Sequence, residues 1–484
     1  MAVLTSIWMF FQNNIMTKPA FFVGLMVLIG YLLLKKPIYV AFAGFVKATV
    51  GYLILGVGSG GLISNFRPIL AGLNERFSLS AVVIDPYFGQ AAANTAIEAI
   101  GRSLSSTMLV LLIAFFLNIL LVALRKVTKI RSLMTTGHIM VQQSTTALWM
   151  MFLFFPGITE TTALVVIGLL LGTYWAVSSN LVVDLTQDLT DGGNFTVGHQ
   201  QMFGIWLFDK LAAKVGNKED AGKDFEFPEA LSIFNDNVVA TGTLMTLFFG
   251  IIMLILGEDM MRSLDSGFGA STSFLFYIIE KSFNFAVYLS ILQLGVRMFV
   301  AELTEAFTGI SDKLLPGSVP AIDCAATYGF GNGSMVTLGF LFGALGQFLA
   351  IIGLIIFKSP VLVITGFVPV FFDNATFAMF ANNRGGFKAA AICTFISGIL
   401  QVLGGAICAG MFGLAQYGGW HGNFDMSTSW LVGGLAMKFL GFAGIALCII
   451  GMLIIPQVQY RKNKENYFLI TEDYEAYKAK VGKA

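Results

Sequence analysis

Residues Thr161–Val183 read TTALVVIGLLLGTYWAVSSNLVV and continue directly into Asp184–Gly198, DLTQDLTDGGNFTVG, and then into His199-Gln200-Gln201. The first segment carries no charged side chain. As a helix rising about 1.5 Å per residue it is long enough to cross the roughly 30 Å hydrocarbon core of a bilayer. The second segment is a dense polar break that stops it. Hydrocarbon accepts imidazole and carboxamide groups only where they find partners or water. An apolar span that opens onto such a string therefore describes a membrane helix leading to a solvated cavity.

The same kind of apolar run recurs at Phe21–Leu34, Pro37–Leu55, Met108–Leu124, Val238–Leu256, Phe274–Val300, Val336–Phe357, Val361–Phe380, Ala389–Phe412 and Leu431–Ile455, with a shorter piece at Thr146–Phe155. Composition agrees: of 484 residues 56% are hydrophobic and only 12% charged, about half the charged share of a soluble globular chain. The expectation is an all-α polytopic membrane protein with about eleven transmembrane helices and re-entrant segments among residues 56–100. Lys35-Lys36, Arg125-Lys126 with Lys129 and Arg131, Lys210, Lys214 and Lys218, and Arg461-Lys462 with Lys464 follow spans. The positive-inside rule puts these loops in the cytoplasm, the N-terminus outside and the C-terminus inside, which needs an odd number of spans. No charged leader with a small-residue cleavage site opens the chain, so the first span is expected to stay.

Residues 1–455 are thus read as one membrane domain and 456–484 as a cytoplasmic tail. The tail and the mixed-charge segment Asp209–Glu229 are each a solvated connector or a docking surface for a cytoplasmic partner. The net charge of +1 gives no global attraction to nucleic acid. Cys324, Cys393, Cys408 and Cys448 sit in apolar surroundings without a Cys-x-x-Cys pair, so they read as small buried hydrophobes, and neither a metal site nor a disulfide is expected from them.

Polar breaks occur in both halves of the membrane domain, about 1–235 and about 236–455, and suggest two pseudo-symmetric repeats with a site at their interface. Asp191, Phe195 and Gln200-Gln201 align without a gap to Asp373, Phe377 and Asn382-Asn383, and Gly58-Ser59 near Ile84-Asp85 parallels Gly317-Ser318 near Ile322-Asp323. Two of the three histidines stand in similar strings, Gly137-His138-Ile139-Met140-Val141-Gln142-Gln143 and Gly198-His199-Gln200-Gln201. On a helix His138 and Gln142 share a face. Neutral imidazole and carboxamide offer donors and acceptors without fixed charge, which suits an oxygen-rich small molecule. The preceding glycines let another backbone come close.

Asp323, in a breaker-rich apolar stretch, is either a binding or proton-loading carboxylate or a helix N-cap. Asp85-Pro86-Tyr87 reads as a turn that presents a ring and a hydroxyl. In Val296–Leu314 the apolar residues Val296, Phe299, Val300, Leu303, Phe307, Ile310 and Leu314 recur at helical spacing, with Arg297, Glu302, Glu305, Asp312 and Lys313 between them. This describes an interfacial helix bordering water, or one lining a substrate path. No nucleotide-binding, hydrolase or zinc-protease signature is present, so no catalytic residue and no cofactor is assigned to this chain.

Thr136–Gln143, Thr190-Asp191-Gly192 with Gly198–Gln201, Gly295–Leu303 and Ala321–Ala326 together resemble the ascorbate-specific permease (IIC) components of the bacterial phosphoenolpyruvate-dependent phosphotransferase system. The resemblance runs from about residue 15 to about residue 455 and does not extend to the tail. It implies an inner-membrane homodimer of eleven-span protomers, with a static dimer-forming part and a mobile core that carries L-ascorbate in an elevator-like movement. It implies substrate contacts at Pro86, Tyr87, His138, Ile139, Met140, Val141, Gln142, His199, Gln200 and Asp323. The family carries threonine where Pro86 stands, so Tyr87 is the side chain carried over there. A cytoplasmic IIB protein, charged by a IIA protein, would phosphorylate the substrate. Two other readings compete: a secondary transporter in which Asp323 or Glu302 loads a proton or sodium ion, and a non-transporting membrane scaffold or sensor.

Overall fold

The computed structural model describes residues 6, 9, 10, 14, 15, 18–77, 80–221, 223, 233, 234, 236–315 and 317–482. The end of the Asp209–Glu229 segment lies outside the described residues, as do the side chains of Lys218, Val300, Phe307, Ile310, Asp312, Lys313 and Leu314. The long helices are α1 (Pro19–Leu33), α2 (Ile38–Phe77), α3 (Pro86–Ala99), α4 (Ser105–Ala123), α5 (Gly137–Phe154), α6 (Glu160–Leu181), α7 (Val183–Thr190), α8 (Met202–Val215), α9 (Asn237–Leu256), α10 (Phe274–Leu314), α11 (Ser334–Ile356), α12 (Asn374–Met411) and α13 (Ser429–Lys462). Short helices α14 (Leu469–Glu472) and α15 (Tyr474–Val481) close the chain.

Among the described residues, eight helical stretches are long and apolar enough to cross a membrane, and Ala20–Leu33 is a shorter apolar helix. This is an all-α polytopic membrane architecture. Among the described residues, Val361–Phe380 is not one continuous helix. Its β-branched start, Val361–Thr365, is a strand, and a π-helical turn over Pro369–Asp373 then leads into α12. Short apolar runs of this kind read equally as strand or buried helix from periodicity. The expected Ala389–Phe412 span is the second limb of α12, beyond a break at Gly386 (φ 78°). Thr146–Phe155 belongs to α5, whose residues from Gly137 to Phe152 are all buried in protein. Within 56–100, α2 continues to Phe77 and only then gives way to strand and α3.

Among the described residues, six short strands form two three-stranded parallel sheets. In one, β1 (Ser80–Ile84) lies between β5 (Val361–Thr365) and β6 (Gly419–Trp420); in the other, β4 (Val319–Ile322) lies between β2 (Ser132–Met134) and β3 (Thr196–Val197). Each middle strand therefore comes from one half of the chain and both outer strands from the other. Backbone of this kind is tolerated at membrane depth only inside protein, and Val82, Val83, Ile84, Leu133, Met134 and Ala321 are fully buried. Ile84 pairs with Thr365 and Trp420, while Ala321 pairs with Met134 and Ile322 with Val197. Ile84-Asp85 and Ile322-Asp323 thus occupy matching positions. The strands do not follow the gap-free alignment of Asp191 with Asp373. Asp191 caps α7 in a left-handed conformation, and Asp373 ends the π-helical turn. Gly58-Ser59 lies inside α2 and Gly317-Ser318 in the turn before β4.

Helix α10 runs against α2 at close range. A Cβ on Gly58 would stand 2.6 Å from Leu292 N, and one on Gly295 would stand 2.4 Å from Leu55 N, the small-residue contact by which membrane helices approach. Farther along α10, Glu302 and Glu305 accept hydrogen bonds from Tyr31 Oη at 2.7 and 2.6 Å, and Lys47 and Lys36 pair with them.

The tail is not free in solvent. Tyr467 and Ile470 are buried, and Arg131, fully buried, donates to Asp184 Oδ1 and to the Tyr467 carbonyl, both at 2.6 Å. Arg125 bonds the Gly317 carbonyl at 2.7 Å and Glu472 at 2.9 Å, and Lys478 reaches both Asp191 oxygens at 3.0 and 3.1 Å. These contacts cover the starting ends of β2, β3 and β4.

Candidate functional site

The opposite ends of those three strands carry the polar strings. Strand β2 leads through Thr135-Thr136 into α5, and His138 stands in its first turn. Strand β3 ends at Gly198, whose amide donates to the Ile322 carbonyl at 2.7 Å, and His199 follows. A Cβ on Gly198 would fall 2.5 Å from the Ala321 carbonyl oxygen, so glycine is what lets β3 lie against β4. Strand β4 ends at Asp323, which caps a 3-10 turn over Cys324–Gly329.

These ends meet a cavity of about 340 Å³ lined by Tyr87, His138, His199, Asp323 and Val368, with Leu292, Gln293, Val296 and Arg297 of α10 across from them. The His138 and His199 rings sit edge-on with centroids 6.0 Å apart. His138 Nε2 lies 3.6 Å from Asp323 Oδ2, and its Nδ1 is buried without a partner. His199 Nδ1 donates to Gln201 Oε1, which leaves Nε2 as the ring acceptor. Asp323 is an N-cap and also lines the cavity. Its Oδ1 accepts from Ala325 N at 2.9 Å as a cap, and its Oδ2 faces His138. Asp85, by contrast, accepts from Tyr87 N at 3.0 Å and Val368 N at 3.3 Å, so it fixes α3 and positions Tyr87 without facing the cavity itself.

Of the residues singled out in sequence, Tyr87, His138, His199 and Asp323 line the cavity. Pro86 begins α3, and Ile139, Met140 and Val141 are buried in the body of α5. Gln142 and Gln200 lie beneath: Gln200 Nε2 donates to Gln142 Oε1 at 2.8 Å. Gln143 accepts from Trp175 Nε1 at 2.6 Å. Sequence reading left out the third histidine. His421 Nδ1 donates to Gln200 Oε1 at 2.9 Å, and its Nε2 accepts from Thr146 Oγ1 at 2.5 Å, so it holds Gln200 from below. Its signal was the Trp420-His421-Gly422 string after a strand. Arg297, treated as one charge on an interfacial helix, is the cation among the lining residues, and Gln293 lines the cavity with a buried Nε2 lacking a partner.

Chemically, this is a partly open set of nitrogen donors and acceptors, a phenol, one carboxylate and one guanidinium. It suits a compact, hydroxyl-rich anion. A family model described as the sugar-specific permease component of the PTS system (EIIC-GAT) matches residues 14–430. A protein of Mycoplasma pneumoniae (strain ATCC 29342 / M129 / Subtype 1), named "Ascorbate-specific PTS system EIIC component", is 34% identical over 434 residues. That match covers 81% of this chain and 65% of the relative, so the chain spans just under two thirds of the relative's length. With residues 14–430, both sheets included, inside the family model, the chain belongs to the sugar-specific permease components of the phosphotransferase system.

Proposed function

We propose that the protein binds L-ascorbate in the cavity at the ends of β2, β3 and β4 and moves it inward across the bacterial inner membrane, where a cytoplasmic IIB protein charged by IIA phosphorylates it. The observation that carries this reading is the convergence of His138, His199, Asp323 and Tyr87, distant in sequence, on one cavity faced by Arg297. Ascorbate is a small monoanion at neutral pH. Arg297 takes the ionised enol, while Asp323 and the two imidazoles take hydroxyls, with charge-assisted hydrogen bonds stronger than neutral ones. Ile139–Val141, Gln142 and Gln200 then support the site from below, and Pro86 holds Tyr87. The name of the Mycoplasma relative supports the choice of substrate.

The interlocked strands support two pseudo-symmetric repeats, about 1–235 and 236–455, as the carrying core. Helix α10 offers this core mainly the apolar side chains Leu289, Leu292 and Val296, a surface suited to sliding in an elevator movement, with the static part forming a homodimer. The tail is placed on the cytoplasmic side. No phosphotransfer residue is assigned to this chain.

The test is uptake of radiolabelled L-ascorbate into vesicles with and without the cytoplasmic phosphorelay and phosphoenolpyruvate, followed by chromatography of the accumulated product. Phosphorelay-dependent ascorbate phosphate is the expected outcome. Free ascorbate accumulating on an ion gradient would instead favour proton-coupled secondary transport. The His138–Asp323 pair at 3.6 Å would be its coupling group, since Glu302 is already engaged by Tyr31 and Lys47.

A further inference from the structure

We infer that His138, His199 and Asp323 form a binding site for a divalent transition-metal cation such as Zn2+, and that the occupied site is closed to the substrate. The inference rests on the proposed function only for its second half. Three donor atoms, one from each residue, lie within 4.8 Å of one another. Two histidines, one carboxylate and an open fourth position are a ligand set Zn2+ accepts, with bonds of about 2.0–2.2 Å. Tetrahedral bonds of that length place ligand atoms roughly 3.3 Å apart. His138 Nε2 and Asp323 Oδ2, at 3.6 Å, are already near that spacing, and the third donor atom is within 4.8 Å of them.

The surroundings of His199 are those of a metal ligand. Gln201 accepts from His199 Nδ1, and Gln201 Nε2 in turn donates to Thr376 Oγ1 at 3.4 Å. The ring is thereby oriented and its Nε2 lone pair left for a ligand, as a second-shell partner does at metal sites. His138 is nine-tenths buried with its Nδ1 unpartnered. Asp323 brings one negative charge to an otherwise neutral donor set, and its Oδ1 is anchored by Ala325 N. The opposing cation in the cavity, Arg297, is exposed and its Nε is turned to the Gln293 carbonyl at 3.4 Å. Cys324 follows Asp323, and its thiol contacts Tyr328 Oη and the Asp323 side chain, but the three donors that meet are two imidazoles and a carboxylate, an N/O set. Imidazole with carboxylate selects borderline cations over Mg2+ or Ca2+.

The experiment uses the full chain in detergent. Calorimetry with Zn2+ alone is expected to give one saturable site per chain, weakened at least tenfold in His138→Ala, His199→Gln and Asp323→Asn and unchanged in Cys324→Ser. Co2+ in the wild-type protein should give ligand-field bands without a thiolate charge-transfer band, a readout that needs no variant to fold. Zn2+ should also lower L-ascorbate binding, and EDTA should restore it. No saturable Zn2+ binding, a thiolate band, or equal binding in all three triad variants overturns the site. Ascorbate binding that is indifferent to bound Zn2+ overturns the exclusion. Zn2+ binding by a protein that never binds ascorbate overturns the proposed substrate and leaves the metal site standing.

Discussion

The two three-stranded sheets share one topology and differ in what stands at their ends. By register, Asp323 after β4 matches Asp85 after β1, His138 beyond β2 matches Val368 beyond β5, and His199 beyond β3 matches Gly422 beyond β6. One sheet thus ends in Asp, His and His, the other in Asp, Val and Gly. Asp85, without an imidazole partner, gives both oxygens to backbone amides and is 1% exposed. Asp323 gives one oxygen to backbone and keeps the other for the cavity, with its side chain 26% exposed. A single backbone design therefore yields a closed structural corner in one place and an open polar site in the other. The choice is made by two side chains.

The largest effect expected from challenging this comparison comes from Gly198→Val. The equivalent position in the other sheet already carries a side chain, His421, but at Gly198 a Cβ meets the Ala321 carbonyl. Displacing β3 should cost more than about 3 kcal/mol and sharply lower the yield of monodisperse protein on size exclusion. Next, His199→Ala and Asp323→Asn should each reduce L-ascorbate affinity about 100-fold or more while the protein remains folded, as read by binding and thermal unfolding together. Normal affinity in either variant removes that residue from the site.

Arg297→Gln should weaken ascorbate binding roughly tenfold, the scale of one charge-assisted hydrogen bond, and should flatten its dependence on salt. Asp85→Ala should show the reverse signature. Thermal stability should fall by an N-cap's worth, about 1–2 kcal/mol, with a smaller loss of affinity through Tyr87.

The smallest effect concerns the covered ends of β2, β3 and β4. Lys478→Ala removes a surface pair, which contributes little to stability. The hydrogen bond to Asp191 raises the Lys478 pKa. Its stabilising share is therefore fully present below the ordinary lysine pKa and is lost as pH rises through the raised value. Relative to the base-catalysed intrinsic rate, the protection of α15 amides from hydrogen exchange should fall at strongly alkaline pH in the wild type and stay flat over that range in the variant.

Much of the candidate site was legible because hydrocarbon makes polar side chains conspicuous. His138, His199 and Asp323 stood out as groups that need partners. The Asp323 ambiguity between cap and ligand was also legible: one carboxylate oxygen caps the turn and the other faces His138. Gln142, Gln200 and His421 were harder to assign. Whether a buried amide meets a ligand or another amide depends on neighbours from segments more than fifty residues away. Arg297 was hidden for a related reason: an amphipathic pattern says that a helix has two environments, but not that one of them is the cavity.

Sequence by itself determined the membrane class, the polar strings and the family resemblance, because apolar span length and the cost of burying polar groups are local properties of the chain. Tertiary structure decided that Val361–Thr365 is a strand and not part of a span. It also decided that the tail packs against strand ends and that two histidines and an aspartate converge. Each of these depends on strand pairing between the two halves, and that pairing is a contact energy between residues no local pattern connects.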